Sequence, residues 1–298
     1  MPVKADGPLE SEKPDIRCIR SSGSWLAFLM PPSRQMESAM RLSLIAVTLL
    51  AGTCLGTAAR AETVAALVGD ASLALVDTAT KKVTKTVTIT GIGGSVLGID
   101  VRPADGMLYA VISDGSIVTI DPMSGKATAK SKLDMMLAAG TAATVDFNPV
   151  ADRLRIIGSD GTNLRANVDD GKVTKDGQLK FAETDTMKGK TPKVTAGAYT
   201  NAFKGTKETA LFDIDTAGAL LKQAPPNDGI LNTVGMLGMS GEAVAFDIVS
   251  DGQGGNQAWA MAGDTLYKVD LATGKGEMAA KITGVSGKVR DIAILPKM

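Results

Sequence analysis

GIDVRPADGMLYAVISDGSIVTIDPMSGK, residues 98–126, alternates short apolar runs with turn-forming clusters. Gly98–Arg102, Met107–Ile112 and Ser116–Ile120 have the period of two that half-buried strands show. Pro103–Gly106, Ser113–Gly115 and Asp121–Gly125 separate them with the residues that close tight turns. The same pattern returns along the chain, which predicts an array of β-repeats.

The clearest copy is VDFNPVADRLRIIGSDGTNLRANVDDGKVT, residues 145–174. It places Asp146 on Asp100, Pro149 on Pro103, Asp160-Gly161 on Asp114-Gly115, and Gly171-Lys172 on Gly125-Lys126. Five units are expected: Thr63–Thr90, Val96–Leu133, Ala143–Phe181, Val194–Leu237 and Ala243–Ile282. The fourth is the loosest and carries a longer excursion, Ala224–Val234; the fifth carries a glycine-rich one, Ser250–Asn256. The first unit lacks its opening strand, and VRDIAILP, residues 289–296, is an opening strand with nothing after it. A C-terminal strand that completes the first sheet closes a ring without open edges. The expected fold is therefore all-β: a five-bladed β-propeller closed by the C-terminal strand.

Of the 298 residues, 32 are basic and 32 acidic, and there is no histidine. Balanced charge gives no footprint for nucleic acid. The missing imidazole removes histidine-dependent triads and the commonest transition-metal ligand. MRLSLIAVTLLAGTCLGTAARA, residues 40–61, has a basic start, a short apolar run and a small-x-small end at Ala59–Ala61. That is the order of a secretory signal peptide. Residues 1–39 have no sustained period and read as a disordered leader, or as sequence upstream of a true start at Met36 or Met40. Cleavage after Ala61 leaves residues 62–298 as one propeller domain. Cys18 and Cys54 depart with the leader, so the mature chain has no thiol and no disulfide. Periplasmic or secreted localisation follows, with no membrane span in the mature chain.

Asp100, Asp146, Asp247 and Asp291 recur at the opening strand of their units, with Tyr199 in the fourth. Such strands line the axis of a propeller. Four carboxylates there can hold a hard cation such as calcium, supply an acid–base pair for glycoside hydrolysis, or satisfy backbone amides. Repetition favours the last role, because a catalytic pair needs differentiated environments. The Asp-x-x-Ser/Thr-Gly-Lys hairpins at Asp121–Lys126 and Asp270–Lys275 read as turns. Asn163, Arg165 and Asn167 alternate along a strand and read as a solvated face. The loop Gln223–Thr233 is the best candidate contact surface, since function concentrates on loops held by rigid scaffolds. Asn227, Asp228 and Asn232 from this loop, with Tyr199 and Asn201 from the same unit, are the candidate ligand-binding residues. Trp259, Tyr109 and Tyr267 fall in repeat strands and read as core, which leaves few aromatic platforms for a sugar.

Residues 146–167, AYTNAF (198–203) and APPNDGILNTVGMLG (224–238) resemble an exported bacterial family catalogued as domain of unknown function 4394. The resemblance covers most of residues 63–296 and implies export and a repeat-built β fold. It implies no activity and no catalytic residue.

The resulting expectation is an exported, non-catalytic binding or scaffolding propeller that needs no cofactor and engages an extracytoplasmic protein or a small ligand. The alternatives are a carboxylate-dependent, glycosidase-like hydrolase using the axial aspartates, and a structural propeller stabilised by calcium. Propellers host many functions, so fold alone does not choose among these.

Overall fold

A computed structural model of the chain describes residues 62–239 and 244–296. The leader and signal peptide expected over residues 1–61 lie outside the described residues. Each blade grows from period-two apolar strands joined by Asp- and Gly-closed turns. The first holds β1 (Thr63–Val68), β2 (Ser72–Asp77) and β3 (Lys82–Thr88). The second holds β4 (Val96–Val101), β5 (Leu108–Ile112), β6 (Ser116–Ile120) and β7 (Ala127–Lys132). In the third lie β8 (Ala143–Asn148), β9 (Arg153–Gly158), β10 (Asn163–Ala166) and β11 (Val173–Lys175). A two-residue strand, β12 (Lys180–Phe181), precedes β13 (Val194–Tyr199), β14 (Leu211–Asp215), β15 (Ala219–Gln223) and β16 (Ile230–Met236) of the fourth. The fifth has β17 (Val244–Ser250), β18 (Asn256–Ala262), β19 (Thr265–Val269) and β20 (Gly276–Lys281), and β21 (Val289–Leu295) ends the chain's regular structure.

The first sheet has the order β21-β1-β2-β3. β21 runs antiparallel to β1, with Thr63 opposite Leu295 and Ala65 opposite Ala293. The surplus last strand thus supplies the missing first one, and the five sheets form a five-bladed propeller. β4, β8, β13, β17 and β21 touch one another in a closed cycle and are the innermost strands. Among the described residues there is no α-helix, hence no helix long and apolar enough to cross a membrane.

Two features of the fourth blade depart from the sequence reading. β12, expected at the end of the third unit, pairs in parallel with β16 of the fourth, Lys180 with Ile230 and Phe181 with Leu231. The long loop expected over 223–233 is strand in its second half, because ILNTVGM continues the period-two pattern. Only Ala224–Gly229 turns, through a single 3₁₀ turn at Pro226–Asp228 and a left-handed Gly229.

Apolar residues from facing blades make one buried cluster per seam. The seam between the third and fourth blades has the smallest, centred on Ile157, Phe181, Leu211, Leu221 and Leu231. Deleting residues 289–298 strips β1 of its partner and opens the ring. Urea unfolding followed by circular dichroism is expected to lose its single cooperative transition; a retained sharp transition contradicts closure by β21.

Candidate functional site

The inner strands have a free hydrogen-bonding edge that faces the axis, and a buried N–H without a partner costs about 1–3 kcal/mol. The repeated aspartates fill that need. Asp100 on β4 accepts from its neighbour Val101 N–H at 2.6 Å and from Phe147 N–H on β8 at 2.6 Å. Asp146 on β8 accepts from Tyr199 N–H on β13 at 2.9 Å. Asp247 on β17 accepts from Ile248 N–H and, across the gap, from Ile294 N–H on β21, both at 2.6 Å. Asp291 on β21 accepts from Ile292 N–H at 3.0 Å and Ile99 N–H on β4 at 2.9 Å. Four of the five inner-strand junctions are stitched in this way. At the fifth, between β13 and β17, Ala196, Ala198 and Phe246 belong to one apolar cluster instead.

The staggers show that the four acids are not one level ring. Asp100 reaches the residue after Asp146, so these two are level. Asp291 reaches the residue before Asp100, so by the same pairing it is level with Gly98, two residues away from Asp100 along β4. By the same pairing Ala198, not Tyr199, occupies the aspartate level of the fourth blade. Gly98 makes room for Asp291: a Cβ there would lie 2.9 Å from its Oδ2 and 2.9 Å from Val145. Oxygens of Asp100, Asp146 and Asp247 lie within 4.8 Å of one another. Those three are the carboxylates that could share a cation, and Asp291 is outside the group. Burial is the main force raising the pKa of Asp100 and Asp146, followed by repulsion among the acids. Burial also raises Asp291, and brings Asp247 to about 6. Close carboxylates in a dry site resist ionising together.

A second polar cluster lies in the seam of the third and fourth blades. Arg155 on β9, 2% exposed, donates to Tyr199 Oη at 3.1 Å, Asn163 Oδ1 at 2.7 Å, Asp176 Oδ2 at 2.6 Å and Asn227 Oδ1 at 2.9 Å. Arg165 also donates to Asp176. Asn163 is fully buried and donates to Gly177 O and Pro226 O. The solvated face expected for it is therefore wrong: its amide ties β10 to the short 226–228 turn. Gln223 Nε2 donates to the same Pro226 O at 2.6 Å.

Two side chains in this seam have unused acceptor atoms. Among the described residues, the buried side-chain nitrogen or oxygen atoms without a hydrogen-bond partner are Asp213 Oδ1 and Oδ2 and Gln223 Oε1. Asp213 sits on β14 opposite Gly197, where a Cβ would lie 2.5 Å from its Oδ1. Glycine at 197 is thus what admits the carboxyl. Burial pushes Asp213 up to about 8, with Arg155 pulling the other way.

Of the sequence-predicted contacts, Tyr199 and Asn227 meet through Arg155. Asp228 lies exposed in the 3₁₀ turn. Asn232 is a β16 residue that donates to Lys222 O and Ala224 O, both at 3.3 Å. Asn201 faces the fifth blade, exchanging hydrogen bonds with Asn256. A cleft of about 420 Å³ opens beside this cluster, lined by Asn148, Val150, Tyr199, Leu211, Gln223 and Pro226 among others. Sequence reasoning missed Arg155, Asp176 and Asp213, took Asn163 for part of a solvated face, and named Gln223 only as the first residue of the 223–233 loop. The available signal was a polar residue at an inward position of an apolar run, as in LRIIG and LFDID.

Two measurements follow. Asp100→Ala orphans two N–H groups and is expected to cost about 2–4 kcal/mol in urea unfolding; a loss under about 0.5 kcal/mol contradicts the stitching role. The second concerns pH. Asp213 and the axial acids have folded pKa values above the ordinary 3.8, so the native state keeps protons that the unfolded chain releases. Their contribution is full below about pH 4 and is lost as pH rises toward 6 for Asp247 and 8 for Asp213. Each ionising group adds a slope of up to about 1.4 kcal/mol per pH unit. Stability is expected to be higher at pH 5 than at pH 8, and Asp213→Asn is expected to flatten the part of the slope above pH 6. A flat profile in the parent protein refutes the assignment.

No curated protein matches this chain. Among solved structures it is similar to a protein of unknown function from Bacteroides caccae, at 12% identity and a TM-score of 0.42, over 80% of this chain and 100% of that one. It is also similar to a structural genomics protein of unknown function from Bacteroides thetaiotaomicron VPI-5482, at 13% identity and a TM-score of 0.46, over 70% of this chain and 53% of that one. The family match is of a different order, running over residues 72–293 and so spanning every blade. On that extent, the chain belongs to the family described as domain of unknown function DUF4394.

Proposed function

We propose that this protein is an exported, non-catalytic binding propeller whose contact site is the cleft at the seam of the third and fourth blades. One observation carries the reading: the partnerless buried acceptors, Asp213 and Gln223, share a single seam, and one of them, Gln223, lines the cleft at that seam. Buried polar groups are nearly always paired, so a local concentration of exceptions marks a place built for something other than stability. The surrounding frame is preorganised, because Arg155 and Asn163 hold the 226–228 turn in place. Rigid supports of that kind reduce the ordering cost of binding. The hydrolase alternative is the weaker one, since the axial carboxylates are spent on backbone N–H groups. A cation-stabilised propeller is favoured only by the convergence of Asp100, Asp146 and Asp247.

Fragment screening by amide chemical-shift mapping tests the proposal. Hits are expected to cluster at Tyr199, Gln223 and Ala224. Hits scattered over the ring, or confined to the axial aspartates, refute it.

A further inference from the structure

Resting on that reading, we propose that the cleft takes a peptide-like ligand with a free carboxylate: N–H groups to Gln223, the carboxylate to the rim lysines. Three observations converge on this chemistry. Gln223 lines the cleft while 1% exposed, and its Nε2 is committed to Pro226 O at 2.6 Å. That bond fixes the amide, so Oε1 remains as an acceptor only. An incoming N–H group is the complement of an unused acceptor, and leaving such an acceptor unmet penalises ligands that lack the donor.

The second observation is charge. Lys207 and Lys222 line the cleft, both are exposed, and among the described residues neither takes part in an ion pair. Glu208 is the acidic residue among the lining groups, so the rim is net positive. By contrast, Arg102 and Lys130 of the second blade are ion-paired with third-blade acids, Arg102 with Asp152 and Asp169 and Lys130 with Asp169. The third is the wall. Val150, Ala151, Leu211 and Pro226 give it small apolar surfaces suited to short side chains, and Val150 is 47% exposed. A volume of about 420 Å³ falls in the range of small-ligand pockets.

Calorimetric titration with N-acetyl-alanyl-alanine and with its carboxamide tests the assignment. The acid is expected to bind at least tenfold more tightly than the carboxamide, and the advantage to shrink severalfold when salt rises from 50 to about 500 mM, as an exposed charge contact requires. The double variant Lys207→Ala/Lys222→Ala is expected to bring the acid down to the carboxamide's affinity. Gln223→Met is expected to weaken both ligands at least tenfold. The lysine variant changes exposed positions only, so it remains informative if Gln223→Met fails to fold. Equal affinity for acid and carboxamide, or unchanged binding by the lysine variant, overturns the proposal. If neither probe binds while other fragments map to the seam, the ligand class is wrong and the binding reading stands. If nothing maps to the seam, both fall.

Discussion

A propeller leaves one strand of each blade with an unpaired edge at the axis, where side chains of five strands crowd together. The backbone N–H groups along that edge are buried and need acceptors. Here the acceptors are aspartates, each bonded within its own strand, to the next strand, or both. The rest of the ring depends on this stitching, because apolar packing between blades is non-directional and does not fix how far one inner strand slides along another. A carboxyl that spans two strands does fix it. The glycine at 98 and the stagger of Asp291 are fitted to that requirement.

Burying four acids together has a cost, and protonation lowers it. A neutral carboxyl loses part of its accepting strength but avoids the larger penalty of a dry, uncompensated charge. The same logic governs Asp213, which has no N–H to accept from and lies on the second strand of its blade, not the inner one. The axial acids are explained by what they bond. Asp213 is not: among the described residues neither of its carboxyl oxygens has a hydrogen-bond partner.

Much of the architecture was legible because it is periodic. Repeated Asp-Gly turns and alternating runs define the blades, and the unmatched first and last units define the closure. The candidate site was legible only in part. Tyr199 and the 226–228 turn stand out as a loop on a rigid frame, but their link is Arg155, buried inside LRIIG, where a charged residue looks like a solvated alternation partner. Asn163 is hidden for the same reason. Period two says that a side chain shares a face with its neighbours; it does not say whether that face meets water or another blade. Asn232 was misplaced because Pro225, Pro226 and Gly229 make the whole stretch look like loop, whereas only its first half turns.

The closure by β21 also bears on how the molecule comes to exist. Thr63 finds its partner Leu295 only when the far end of the chain is available. Most other strand pairs are local hairpins, so individual blades can form early and cheaply. The final pairing instead carries the chain entropy of nearly the whole sequence, a cost that grows slowly with loop length but delays the contacts that reward it. Until that moment β1 presents a bare edge to any strand that passes. Assembly is therefore split into a fast local phase and a slow global one. The interval between them, not the finished ring, is where the chain is most exposed to pairing with a neighbour.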